Sequence, residues 1–117
     1  MIGLKLNDTR PNTAILEVRG DVAGRDSEKL AQMLEEFVRQ KVGSFVLDMR
    51  RVDYMDSAAL GTVTFHHMYL KERKKPFTVI LNQESFLSSL FDKTHLDKAI
   101  TVERVVVPKV RTRRVTK

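Results

Sequence analysis

No cysteine occurs in this chain, so neither a disulfide framework nor a thiolate metal site is open to it. No apolar run comes near the roughly 20 residues that a membrane-spanning helix requires. The opening residues, Met1 to Asp8, lack a basic segment followed by a long apolar one, so no secretory signal is expected and the cytoplasm is the default location. Internal repeats and low-complexity linkers are also missing. What remains, 42% hydrophobic and 31% charged residues, argues against wholesale disorder and for a soluble globular chain. A length of 117 residues suits one domain with one buried core.

Acidic residues are missing from one stretch in particular. Lys109, Arg111, Arg113, Arg114 and Lys117 give the last ten residues five positive charges and no negative one, within a net charge of +6. Without them the chain has sixteen basic against fifteen acidic residues, so the body of the domain is nearly neutral. Five charges without interleaved aromatics predict a solvated, flexible tail over residues 108–117 after a folded domain of residues 1–107. Neither a membrane surface nor nucleic acid is expected as a partner.

Hydropathy patterning supplies the elements. Ile2 to Leu6 alternates weakly, as an edge strand does, and Arg10-Pro11-Asn12 are turn formers. Thr13 to Arg19 reads as a second strand with Ala14, Leu16 and Val18 on one face, most simply paired to the first as a hairpin. After the loop Gly20 to Arg25, Asp26 or Ser27 is placed to cap a helix. Its stripe is Leu30, Met33, Leu34, Phe37, Val38 and Lys41, and Gly43 is placed to end it. The run Phe45-Val46-Leu47 within Ser44 to Met49 reads as a strand buried on both faces, followed by a loop through Arg50 to Asp53. A second helix spans about Ser57 to Arg73, stopped by Pro76. Phe77 to Leu81, a short helix carrying Leu87, Leu90 and Phe91, another turn over Leu96 to Ile100, and a last strand from Thr101 to Val107 complete the domain. Strands joined through helices favour parallel pairing and the opening hairpin adds one antiparallel strand, so the expected class is α/β, a mixed four- to five-stranded sheet flanked by helices.

Chemistry concentrates at Asp53-Tyr54-Met55-Asp56-Ser57-Ala58-Ala59-Leu60-Gly61, where a strand gives way to a helix. A helix N-terminus offers free amide N–H groups and a partial positive charge. With Asp56 as the cap, accepting from an amide one or two residues into the helix, the Ser57 hydroxyl is left facing solvent. Phosphorylation there would add about −1.5 to −2 charges. The helix terminus would favour the phosphate and Asp56 would oppose it, so the fold would tolerate a change that reverses the sign of the surface. An ordinary capping serine is the plain alternative.

Those residues resemble the Asp-Ser-(Ser/Ala)-Gly-Leu-Gly motif of STAS domains in the anti-sigma factor antagonist family. Val18-Arg19-Gly20-Asp21-Val22 is similar to the family's Gly-Glu-Leu-Asp loop, and Leu90-Phe91-Asp92 with Leu96 and Ile100 to its third helix region. Ala59 and Ala23 depart from the pattern, standing where the family commonly has a glycine and an acidic residue. The resemblance implies that Ser57 is phosphorylated by an anti-sigma factor with serine kinase activity, and that Asp21, Asp56, Ser57, Ala58 and Ala59 form the partner-binding surface. A serine phosphatase would restore the binding form. It implies a binding protein, not an enzyme, with no metal and no cofactor. The second reading is a STAS subunit of a lipid-transport or stressosome-like assembly.

A third reading, a small hydrolase using Ser57 with His66 or His67, is disfavoured because adjacent helical residues point about 100° apart. An orienting acid and an oxyanion hole are also missing from the sequence. Both histidines are expected to be satisfied or partly buried. Ala58, Phe65 and Tyr69 share one helix face, and apolar residues at helical spacing predict a helix covered on two sides in preference to an exposed docking surface.

Overall fold

Every strand pairs with its neighbour in sequence, and that decides where the helices go. The computed structural model describes residues 3–7 and 11–107. The elements are β1 (Gly3–Asn7), β2 (Thr13–Arg19), α1 (Arg25–Phe37), β3 (Ser44–Arg51), α2 (Ser57–Glu72), β4 (Phe77–Asn82), α3 (Phe86–Lys93), α4 (Leu96–Ala99) and β5 (Thr101–Val105). They build one five-stranded sheet in the order β1-β2-β3-β4-β5. β1 runs antiparallel to β2, and β2 to β5 are mutually parallel. The expected mixed α/β sheet is therefore found. Ile2 and the basic tail 108–117 lie outside the described residues.

A right-handed crossover repeated in one direction places each connecting helix on the same side of the sheet. The packing agrees. Ala14, Leu16 and Val18 of β2, Phe45, Leu47 and Met49 of β3, and Phe77, Val79 and Leu81 of β4 share one buried cluster with Leu30, Leu34 and Phe37 of α1, Val63 and Leu70 of α2, and Leu87 and Phe91 of α3. On the opposite face Ile15, Val46 and Ile80 form a separate small cluster with Val105. β3 is thus buried on both faces, as its apolar run suggests, but helices cover only one. Strand order never reverses, so the sheet has no topological switch point and lacks the ligand crevice such a reversal creates.

Three local expectations are corrected. Neither Asp26 nor Ser27 caps α1: its N-cap is Gly24, at φ 61° and ψ −125° and without a side-chain cap, and the helix starts ahead of both residues. That backbone conformation is open to glycine and strained for any residue with a Cβ. Gly43 does not end α1, which closes at Phe37 with Val38 as C-cap, and Lys41 is exposed outside the helix. Gly43 instead donates its amide to Oδ1 (2.8 Å) and the carbonyl (3.0 Å) of Asn12, fixing the approach to β3. Finally, Arg50 and Arg51 belong to β3, not to a loop. Asp48 accepts from Nε (2.9 Å) and Nη2 (2.7 Å) of Arg50 on the helix-free face, and Arg51 pairs with Arg19 across a register shift. These polar partners extend the strand past its apolar run.

Candidate functional site

Two loops at the carboxyl ends of β2 and β3 are fastened side by side. Gly20 N–H donates to Arg51 carbonyl (3.0 Å), Val22 N–H to Tyr54 carbonyl (2.9 Å) and Asp56 N–H to Val22 carbonyl (3.0 Å). Val22 and Met55 form an isolated parallel bridge, and both are buried. The apolar pair anchors loops that would otherwise leave backbone polar groups unpaired.

Asp56 completes the fastening. Its Oδ1 accepts from Ala59 N–H (2.9 Å) and from the Ser27 hydroxyl (2.7 Å), and its Oδ2 from Gly24 N–H (2.9 Å). As N-cap of α2 it therefore reaches the third helical residue, one position beyond the expected first or second, while gripping the first turn of α1. The Ser27 hydroxyl bond, then the Ala59 and Gly24 amides, stabilise the ionised form and hold the Asp56 carboxyl below the usual aspartate range. Sequence reasoning found the cap but missed Ser27. The only available signal was a serine in the first turn of α1, which reads equally well as a cap of its own helix.

With Asp56 so committed, Ser57 is the first residue of α2 and is exposed. Ala58 is exposed beside it, and Asp21 is exposed in the adjoining loop. The other candidate is corrected: Ala59 is fully buried and joins the core, so its side chain supports the helix start and presents nothing to a partner. Alanine in place of glycine there suits a helix interior. From Ser57 a stripe of exposed positions continues along α2 through Ala58, Gly61, Phe65 and Met68. This spacing follows one helix face. Phe65 is 66% exposed, contrary to the expectation of a helix covered on two sides. Tyr69 is half-buried under the Arg73 guanidinium, 3.6 Å from its ring centroid. Tyr54 and Phe86 stack nearby with centroids 6.3 Å apart, both exposed.

Gly61 lies within this stripe, and a Cβ built on it would meet no atom within 4 Å. Gly61→Ala is expected to stabilise the free domain by about 0.5–1 kcal/mol, because a mid-helix glycine carries an entropic cost that alanine does not. Urea unfolding would read the gain; a loss would show that the flat surface at Gly61 is needed by the fold itself.

The histidines stand apart from this site. His66 and His67 lie nine and ten residues along α2 from Ser57, a rise of about 13–15 Å, so neither can act as its base. His66 is buried and satisfied, its Nδ1 2.8 Å from the Thr62 carbonyl. His67 is buried, within the expectation of a satisfied or partly buried ring, but neither ring nitrogen has a hydrogen-bond partner. Among the described residues no group of three or more His, Asp or Glu side chains is placed to hold a metal ion. No helix among them is long and apolar enough to cross a membrane.

Solved structures share this architecture. An anti-sigma factor antagonist from Mycobacterium paratuberculosis superposes with a TM-score of 0.79 at 18% identity, covering 94% of this chain and 88% of that one. The Bacillus cell fate determinant SpoIIAA in its phosphorylated form gives 0.68 at 15% identity, covering 89% and 92%. The anti-sigma factor antagonist SpoIIAA in its unphosphorylated form gives 0.61 at 15%, covering 83% and 97%. At these identities the likeness is one of fold. The sequence itself carries the assignment further: residues 6–107 match the family model described as Mlab, STAS domain, and the chain belongs to the STAS family.

Proposed function

We propose that this STAS domain is an anti-sigma factor antagonist switched by phosphorylation of Ser57, acting by binding and not by catalysis. The observation that carries this reading is the division of labour at the start of α2. Asp56 does the capping, and the neighbouring Ser57 hydroxyl is exposed. Unphosphorylated, Ser57, Ala58 and the Gly61–Phe65–Met68 stripe dock an anti-sigma factor with serine kinase activity, and Asp21 and Asp56 flank the contact. Phosphate on Ser57 places a second anionic group beside ionised Asp56, and docking is lost through repulsion and desolvation. A serine phosphatase returns the domain to its binding form. The structural likeness to SpoIIAA, solved both phosphorylated and unphosphorylated, supports the reading.

Incubation with the cognate kinase and nucleotide is expected to place one phosphate on Ser57, and Ser57→Ala to abolish labelling. Label retained in Ser57→Ala would move the switch elsewhere. The family model's Mlab description favours one other reading, a STAS subunit of a larger assembly such as a lipid-transport complex. Co-purification with transporter subunits in place of a kinase would establish it.

A further inference from the structure

At the far end of α2 from Ser57, a groove of about 340 Å³ opens between the α2–β4 turn and the junction of α4 with β5. Lys71, Lys74 and Lys75 line it with His67, and no acidic side chain does. None of the three lysines is ion-paired among the described residues. Lys75 is held in place by donating from Nζ to the Val42 carbonyl (3.0 Å), which fixes its position without neutralising its charge. A helix C-terminus would ordinarily oppose an anion. Here the carbonyls of Leu70 and Lys71 accept from the amides of Arg73, Lys74 and Lys75, so the last turn is closed on itself.

His67 forms part of the same wall. It is only 8% exposed, yet neither ring nitrogen has a hydrogen-bond partner, an arrangement buried polar groups rarely adopt. Phe77 lies 6.0 Å away, centroid to centroid, and Pro76 and Ala99 supply the remaining apolar surface. Burial, then the charge of Lys71, lowers the His67 pKa, against a smaller opposing contribution from the Ala99 backbone. The charged side chains that line the groove beside it are Lys71, Lys74 and Lys75, and the other lining residues, Pro76, Phe77, Ala99 and Thr101, carry no charge.

We propose that this groove binds a small soluble phosphate-bearing anion, whose oxygens the three lysines neutralise and toward which His67 turns a ring nitrogen as donor. Charge complementarity selects the ligand: three positive charges, one of them held in place, match a group carrying two or more negative ones. The ligand would also cancel much of the positive local field and set an anion beside the ring, so His67 gains a proton on binding. The site is independent of Ser57 and goes beyond the switch proposed there.

The test uses the full chain with labelled histidine and pyrophosphate as the probe, titrated at constant ionic strength. Saturable one-to-one binding is expected, with the His67 ring signals moving and its pKa rising on saturation while those of His66 stay fixed. Lys71→Gln with Lys74→Gln should weaken binding at least tenfold and leave the unfolding midpoint unchanged, since both side chains are exposed. His67→Gln should remove the proton uptake. The proposal is overturned if no saturation occurs at constant ionic strength. It is overturned equally if binding saturates without moving His67 or survives the double lysine substitution, because the anion would then sit elsewhere on the chain.

Discussion

Asp56→Ala is expected to destabilise the domain by roughly 2–4 kcal/mol. Loss of the α2 cap accounts for about 1 kcal/mol of this. The remainder comes mainly from the buried Ser27 hydroxyl, which loses its acceptor; the exposed Gly24 amide is also released but is open to water. Unmade hydrogen bonds of buried groups cost about 1–3 kcal/mol. Asp56→Asn should fall between, because the amide oxygen can still accept while its nitrogen faces a donor. Urea unfolding measures both. An alanine variant within about 0.5 kcal/mol of wild type, the range of an ordinary surface substitution, would mean that the two loops are held by backbone pairing alone.

The same carboxylate sets a pH dependence. Its folded pKa lies below the unfolded one, so the folded state binds fewer protons and the contribution is fully present above the ordinary aspartate pKa. It is lost as the pH falls through the depressed folded value. Wild type should therefore lose stability more steeply than Asp56→Asn across the acid range below about pH 4. Parallel curves would remove Asp56 from the acid response.

Ser57→Asp is expected to leave folding nearly unchanged and to weaken partner binding at least thirtyfold. For the free domain two small effects oppose each other. A carboxylate in the first helical turn gains about 0.3–1 kcal/mol from the helix terminus. Ionised Asp56 next to it takes back a similar amount. In the docked state the balance changes, since the new charge must leave water beside a carboxylate whose own oxygens are already occupied. A charge left buried and unpaired at an interface costs about 2–5 kcal/mol, and each 1.4 kcal/mol is a factor of ten in affinity. Ser57→Asn, similar in size and neutral, separates charge from bulk and should retain most of the binding. Equal affinity of Ser57→Asp and wild type for the kinase would remove the switch.

Much of this was legible in the residues because the relevant physics is local. β2 was placed to the residue by its alternation, and α2 to within one residue by its motif at one end and Pro76 at the other. What escaped depends on contacts between distant segments. Ser27 reaches across 29 positions to Asp56, and nothing in its neighbourhood distinguishes that role from a cap. Arg50 extends β3 through Asp48 on a face without helices, so apolar patterning could not find it. Phe65 sits at core spacing yet faces outward because the described helices lie on one side of the sheet and, among the described residues, no further layer covers them. His67 is buried as expected, but only the geometry reveals that its nitrogens have no partner.

The nearest-neighbour order of the strands also bears on how the chain acquires its shape. With each strand pairing only with those adjacent in sequence, every loop closed during folding spans a single connection. Asp56 acts as a latch: one carboxylate closes on Gly24 and Ser27 and starts the helix on which Ser57 is displayed.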